Sequence, residues 1–416
     1  MSANPTRVEP PESAVDPRYL RLLLAFLGAA TFLEGYDFFA ITQVLPSLRE
    51  EFQLSPAGVG LLVSGINAGS LIAYVVVRRG DRWGRRRVLT VTIVGYSMFS
   101  FLSAFALNAL AFGALQMVAR VFLVAEWATS MIIAAEEFPK ERRGFAIGIV
   151  SACAGLGSII CAGTTPLLLG TRFGWRAVYL AAFPPTVMLA LWRRGLRETR
   201  RFVATGPAQQ RSLLAIWRTP HRRRVVELGL IWFLAYICTQ NAITFWKEFA
   251  IRERGLSNAQ IGLAMTAAAA VAMPVVFWAG KAVDRFGRRR SAIAIFSTTA
   301  IGAFGAYTAH GYALLTLSLA LGVIGVNAVL TVMNAFTTEL FPTAYRADAF
   351  AWSNNLLGRV SYWLSPLAVG VSAHAWGWGV TLRSSAVFPL LALVLILARL
   401  SETRGKALEE TSTLAS

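Results

Sequence analysis

The sequence predicts an all-α integral membrane protein with twelve transmembrane helices in two parallel six-helix repeats. Three observations carry this prediction. Of 416 residues, 56% are hydrophobic and 15% charged; apolar runs of spanning length recur; and a basic motif near residue 80 returns 203 residues later. A water-soluble chain of this size lacks the polar surface to cover so much apolar area. Each run approaches the ~20 residues that a ~30 Å hydrocarbon core requires.

In chain order, residues 1–18 (MSANPTRVEPPESAVDPR) combine prolines and acids without a basic region followed by a short apolar core. They are expected to be a disordered cytoplasmic tail, not a signal peptide. Spans are expected at 20–44, 55–77, 88–109, 112–135, 145–169 and 176–192, within an N-terminal lobe 19–192. A basic linker, 193–224, leads to spans at 225–246, 259–280, 291–309, 312–336, 348–372 and 378–400 in a C-terminal lobe 225–400. A tail, 401–416, closes the chain.

The net charge of +18 raises the question of nucleic acid, and the placement of the charges answers it. Arg78, Arg79, Arg82 and Arg85 to Arg87, then Lys140, Arg142 and Arg143, then the Arg-rich 193–224, then Lys281, Arg285 and Arg288 to Arg290 occupy alternate loops. The positive-inside rule therefore places both termini in the cytoplasm of a multi-pass plasma-membrane protein, of bacterial inner-membrane type, and removes nucleic acid as a partner. Cys153, Cys161 and Cys238 lie within spans and have no metal-ligand spacing. They read as packing residues, and no metal or cofactor is implied. There is no HExxH or GxSxG motif and no added soluble domain, which argues against an enzyme or sensor.

The repeat organises the chain. GDRWGRRR (80–87) returns as VDRFGRRR (283–290), with Asp81 matching Asp284 at an offset of 203. The same offset carries Glu136 onto Glu339, Pro139 onto Pro342 and Gly174-Trp175 onto Gly377-Trp378, while Glu198-Thr199-Arg200 pairs with Glu402-Thr403-Arg404 one residue further on. Six spans per half make the repeats parallel. The copy Gly280 to Arg289 fits G-x-x-x-D-R-x-G-R-R, and the first copy has Val77 in place of its glycine. On these motifs the chain resembles the major facilitator superfamily of secondary transporters over residues 19–410. Glu136, Pro139, Arg143 and Gly144, together with LSETRGKALEE (400–410), resemble its metabolite–proton symporter and sugar-porter branches. The resemblance implies a cytoplasmic gate formed by Asp81, Arg85, Glu136 and Arg143 with Asp284, Arg288, Glu339 and Arg346, paired in one conformation and separated in the other.

Inside the spans, ionisable residues are few: Glu34, Asp37, Arg120, Glu126 and Arg359. An acid at mid-membrane costs about 2.5 to 3.5 kcal/mol on insertion scales, so such groups face a partner or a cavity. At ~1.5 Å per residue, Asp37 and Arg120 lie roughly 25 and 28 Å from the cytoplasmic end, and Glu34 and Glu126 both about 20 Å. An Asp37–Arg120 ion pair and a Glu34–Glu126 acid pair are expected, with Glu34 or Asp37 as proton carrier; the alternative is a structural staple of helix 1 to helix 4. Gly35-Tyr36-Asp37 resembles the helix 1 motif of proton-coupled sugar porters, although the matching arginine position holds Gln116.

Adding 203 to the four charged positions reaches Ile237, Gln240, Val323 and Val329, so proton coupling is assigned to the first half. Asn241 to Trp246 resembles the sugar-contacting segment of sugar-porter helix 7, but the preceding Gln-Gln is absent. Arg359 has no evident acidic partner in its own half; Glu34 or Glu126 across the interface is the alternative. A guanidinium facing a cavity suits a carboxylate, with Asn354, Asn355, Tyr362 and Trp363 nearby to orient it. The expected substrate contacts are Tyr36, Gln240, Asn241, Trp246, Asn354, Asn355, Arg359, Tyr362 and Trp363. The expected function is proton-coupled symport of a small organic acid, aromatic or aliphatic, by a monomer whose partners are that acid, protons and the lipid bilayer. A sugar or polyol transporter, a facilitator and an exporter are the alternatives.

Overall fold

The computed structural model describes residues 16–192, 198–199, 213–342 and 345–404, except for the side chains of 79–82, 140–141, 213 and 276–277. Most of both tails, most of the linker and the Asp81 side chain lie outside the described residues. Among those described there is no strand. The helices are α1 (Pro17–Glu51), α2 (Pro56–Trp83), α3 (Arg85–Ser103), α4 (Ala109–Glu137), α5 (Lys140–Leu169), α6 (Arg176–Trp192), α7 (Arg222–Thr244), α8 (Trp246–Arg252), α9 (Asn258–Phe286), α10 (Arg288–Thr308), α11 (Tyr312–Glu339), α12 (Arg346–Phe350), α13 (Val360–Ser384) and α14 (Val387–Arg399). A 3-10 turn, Leu213–Arg218, precedes α7, and a π-helix, Ala351–Gly358, joins α12 to α13. Twelve membrane crossings result, because α8 continues α7 beyond a break at Phe245, and α13 reverses direction at Gly377, where φ is 80°.

Local chemistry sets the helix ends. Asp16 accepts from the Arg18 N–H (2.9 Å) ahead of Pro17, and Asn108 accepts from the Ala111 N–H (2.8 Å). Both are acceptors for first-turn donors that the helix itself cannot satisfy. Ser257 and Gln260 form a reciprocal capping box at the start of α9. The basic motif solves the same problem by another route, shared by the two halves. Gly84 (φ 90°) and Gly287 (φ 91°) make left-handed turns that a side chain would strain. Distant glutamates then cap α3 and α10: Glu198 accepts from the N–H groups of Arg85 (2.7 Å) and Arg86 (3.1 Å), and Glu402 from those of Arg288 (2.8 Å) and Arg289 (2.9 Å). Burial alone would raise the Glu402 carboxyl, but the amides of Arg289, Arg288, Arg404 and Thr403 hold it below its ordinary value.

Because twelve crossings are even in number, both ends of the described chain lie on one face, here the terminal face. The opposite face is the far face. Helices α1 to α6 pack among themselves, as do α7 to α14, and the halves meet along α2 with α13, α5 with α9 and α1 with α8. Core packing differs between the two faces. Towards the far face one apolar cluster runs through both halves, with Val44, Leu48, Cys161 and Trp175 packed in continuity with Phe245, Phe249, Ile261 and Trp378. Towards the terminal face there are two separate clusters, one around Phe26, Ile93 and Leu123 and one around Trp232, Phe296 and Phe336. The halves are thus joined at the far face and parted at the terminal face. The α2–α13 contact is nearly backbone to backbone: a Cβ on Gly60 would stand 2.4 Å from the Pro366 carbonyl oxygen, and one on Gly370 2.7 Å from Gly60 Cα.

Candidate functional site

Helix α1 carries three of the expected residues, Glu34, Tyr36 and Asp37, within about one turn. Close approach of α5 is possible because Gly35 has no side chain, and Ser158 donates to the Gly35 carbonyl (3.1 Å). Tyr36 donates to the Val178 carbonyl of α6 (3.1 Å). Asp37 is 5% exposed and turns into the first half, where it accepts from Ser100 Oγ of α3 (2.5 Å) beside Tyr96, Tyr179 and Thr186. Arg120 of α4, also 5% exposed, lies on the Phe38 ring, with its carbon 4.2 Å from the ring centre.

The expected Asp37–Arg120 ion pair is therefore not formed: no N–O distance within 4.0 Å joins them, although they are electrostatic neighbours. The Ser100 hydroxyl and the Phe38 ring occupy the contacts each would have offered the other. Arg120 Nη1 has no hydrogen-bond partner among the described residues. The acid pair is likewise a neighbourhood and not a bond. Glu34 interacts electrostatically with Glu126, Arg120 and Asp37. Glu126 accepts from Ser130 (2.7 Å), while its second oxygen is buried without a partner among the described residues.

In the second half, the π-helix is the feature that sequence periodicity does not show. Its widened turn closes from Arg359 N to the Asn354 carbonyl (3.1 Å), and such insertions recur at functional positions. Asn354 accepts from the Tyr236 hydroxyl (3.4 Å), and Tyr236 meets Tyr362 edge to face at 4.8 Å. Arg359 faces both tyrosines, and its buried Nε has no partner among the described residues. Tyr362 in turn lies within electrostatic range of Arg120. Two cations from opposite halves thus flank one tyrosine.

Other expected contacts lie elsewhere. Trp246 is fully buried, and its N–H is held by the Ala306 carbonyl (3.2 Å), so it packs the core of its own half instead of facing an open surface. Asn241 Nδ2 donates to Ser365 Oγ (2.8 Å) and the Ile237 carbonyl (2.7 Å), while its buried Oδ1 has no partner among the described residues. Gln240 reaches Thr244 (3.4 Å), Asn355 is half-buried, and Trp363 is 45% exposed, with its carbonyl accepting from Ser64 of α2.

On the terminal face, ion pairs between described residues stay within one half. Arg85 meets Glu136 (3.3 Å), and Arg288 meets Glu339 (2.7 Å) and Asp284 (3.1 Å). Arg143 and Arg346 keep buried guanidinium nitrogens without partners among the described residues. The far face carries a network absent from the sequence-based site. Arg49 of α1 pairs with Glu248 of α8, which is fully buried, while Arg252 reaches Glu50 (2.9 Å) and Glu248 (3.7 Å). A signal for it was present, since Arg49 and Arg252 stand 203 residues apart, as do Glu50 and Glu253.

Comparison with known proteins agrees with this architecture. The family model described as Major Facilitator Superfamily matches residues 27–249 and 228–414. The chain belongs to that superfamily. As a Major Facilitator Superfamily member it is a multi-pass membrane transporter, not an enzyme. It is 26% identical to the gallate transporter of Pseudomonas putida over 92% of this chain and 91% of that protein. It is 25% identical to the cis,cis-muconate transport protein of Acinetobacter baylyi, over 89% of this chain and 91% of that one. Its fold matches the inward-open conformation of the xylose transporter XylE from E. coli with a TM-score of 0.77 at 19% identity, over 95% of this chain and 100% of that chain.

Proposed function

We propose that the protein is a proton-coupled symporter of a small organic acid, aromatic or aliphatic, working by alternating access. The observation that carries this reading is Arg359, a half-buried guanidinium with an orphaned N–H beside Tyr236, Tyr362 and Asn354. A carboxylate satisfies such a group by parallel charge-assisted hydrogen bonds. A hexose would leave its charge unpaired. The gallate and muconate relatives, both named for acids, support the same substrate class.

In this reading Glu34, Asp37, Arg120 and Glu126 carry the coupling. A proton taken up by an acid in that cluster neutralises a mid-membrane charge, which lowers the cost of the rearrangement that carries the substrate. The lobes 19–192 and 225–400 rock about the central site, joined by 193–224, as one monomer in the plasma membrane with both termini cytoplasmic. The eight gate residues form inter-lobe pairs when the terminal face closes, and the unpartnered nitrogens of Arg143 and Arg346 are those pairs released. A facilitator reading has one observation in its favour: Asp37 and Glu126 are each bonded to a serine hydroxyl, as structural acids would be.

Proteoliposome uptake of labelled benzoate, gallate and xylose under an imposed pH gradient distinguishes these readings. Symport predicts gradient-accelerated accumulation of an acid, lost in Glu34→Gln or Asp37→Asn while acid exchange persists. Uptake of the acid at equal rates with and without the gradient would overturn it.

A further inference from the structure

Three cations, the half-buried Arg359 and the buried Arg120 and Lys247, have no acid within 4.0 Å among the described residues. Counted at ~1.5 Å per residue from the terminal-face ends of their helices, they stand at roughly 20, 28 and 37 Å. Lys247 is the outermost and the least expected. It follows the α7 break in α8, is 1% exposed, and makes no hydrogen bond among the described residues. Its neighbour Glu248 is already engaged by Arg49 and Arg252 and points about 100° away around the helix. Across the interface, the titratable group in electrostatic range of Lys247 is Cys161 of α5.

A lysine near a membrane surface ordinarily extends its ammonium into water along its own stem. At 1% exposure Lys247 does not. Burying an ammonium without a counter-charge is costly, so a compensating group is expected in another state of the cycle. Glu248, the next residue, belongs to the far-face network, so opening that network frees the turn of α8 that carries Lys247 to meet an arriving anion.

We propose that Lys247 is an outer anion-binding site, which takes the carboxylate of the transported acid when the far face opens, ahead of Arg120 and Arg359. This rests on the organic-acid reading above. The test is proteoliposome uptake of labelled benzoate, with uncharged benzamide as competitor, in wild type, Lys247→Met and Lys247→Arg. Loss of a charge-assisted contact predicts that Lys247→Met raises the benzoate KM about tenfold or more with the maximal rate retained. Lys247→Arg should restore the KM, and competition by benzamide should not change. A second measurement covers misfolding of the methionine variant: Lys247→Cys, in a background with Cys153, Cys161 and Cys238 replaced by serine, should react with a membrane-impermeant thiol reagent from the far side and be protected by benzoate. An unchanged KM, an equal loss of benzamide competition, or labelling indifferent to benzoate overturns the site while leaving the organic-acid reading intact. A wild type that moves no carboxylate overturns both.

Discussion

Replacing Glu248 with glutamine should shift the protein towards a conformation open at the far face. Glu248 has no exposed side-chain surface, and its partner Arg49 is 20% exposed. Removing one member of a buried pair costs about 3 to 5 kcal/mol. Here the cost is smaller, because Arg49 keeps some hydration, Arg252 retains Glu50 and the amide still accepts a hydrogen bond. About 2 kcal/mol is a fair expectation, which changes the ratio of the two conformations by about 30-fold. Because the network joins α1 to α8, that loss falls on the far-closed state and not on both states equally. The assay is pulsed electron-spin distance measurement between labels at Leu110 and Leu314, exposed positions at the far-face starts of α4 and α11, in a Cys153→Ser background. Glu248→Gln should add a longer-distance population, and Arg49→Gln should add little once Glu248 is gone. A distance distribution identical to wild type, with the fold intact by circular dichroism, would refute the reasoning.

Two further outcomes follow from the same geometry. Gly60→Val should resist far-face closure, because its Cβ would fall 2.4 Å from the Pro366 oxygen; the same label pair should report longer distances, with transport reduced at least tenfold. Glu402→Gln should lower thermal stability by about 1 kcal/mol through loss of the charged cap on α10. Since the folded-state carboxyl sits below its ordinary value, its contribution is present above the unfolded pKa of about 4.3 and is lost as pH falls through the lower folded value. The stability difference between wild type and variant, measured by thermal denaturation in detergent, should therefore vanish only on the acid side of pH 4.

Helix number and the two-fold repeat were legible because both depend on run length and spacing, which the bilayer and the offset of 203 impose directly. Helix extent was less so: α1 runs on to Glu51, past the apolar stretch ending near residue 44, and its last turn puts Arg49 and Glu50 into the far-face network and Glu51 onto Arg176. Depth counting placed Asp37 and Arg120 at one level, and they are electrostatic neighbours. Axial rise, however, says nothing of azimuth, and Ser100 and Phe38 took up the two groups instead. The Arg49/Arg252 repeat was written in the chain but looked like ordinary loop charge. The π-helix ahead of Arg359 had no local signature, since an extra residue in a turn is decided by packing against Tyr236 and Trp232, not by propensity.

The glutamates that cap α3 and α10 lie beyond the last helix of their own halves. Each half therefore ends by tying its exit strand back to its middle, like a loop of rope secured to itself. A unit built this way brings its own fastening when it is copied, so a tandem duplication yields a second bundle without inventing any contact to close it. What the pair then had to acquire was only the seam between them.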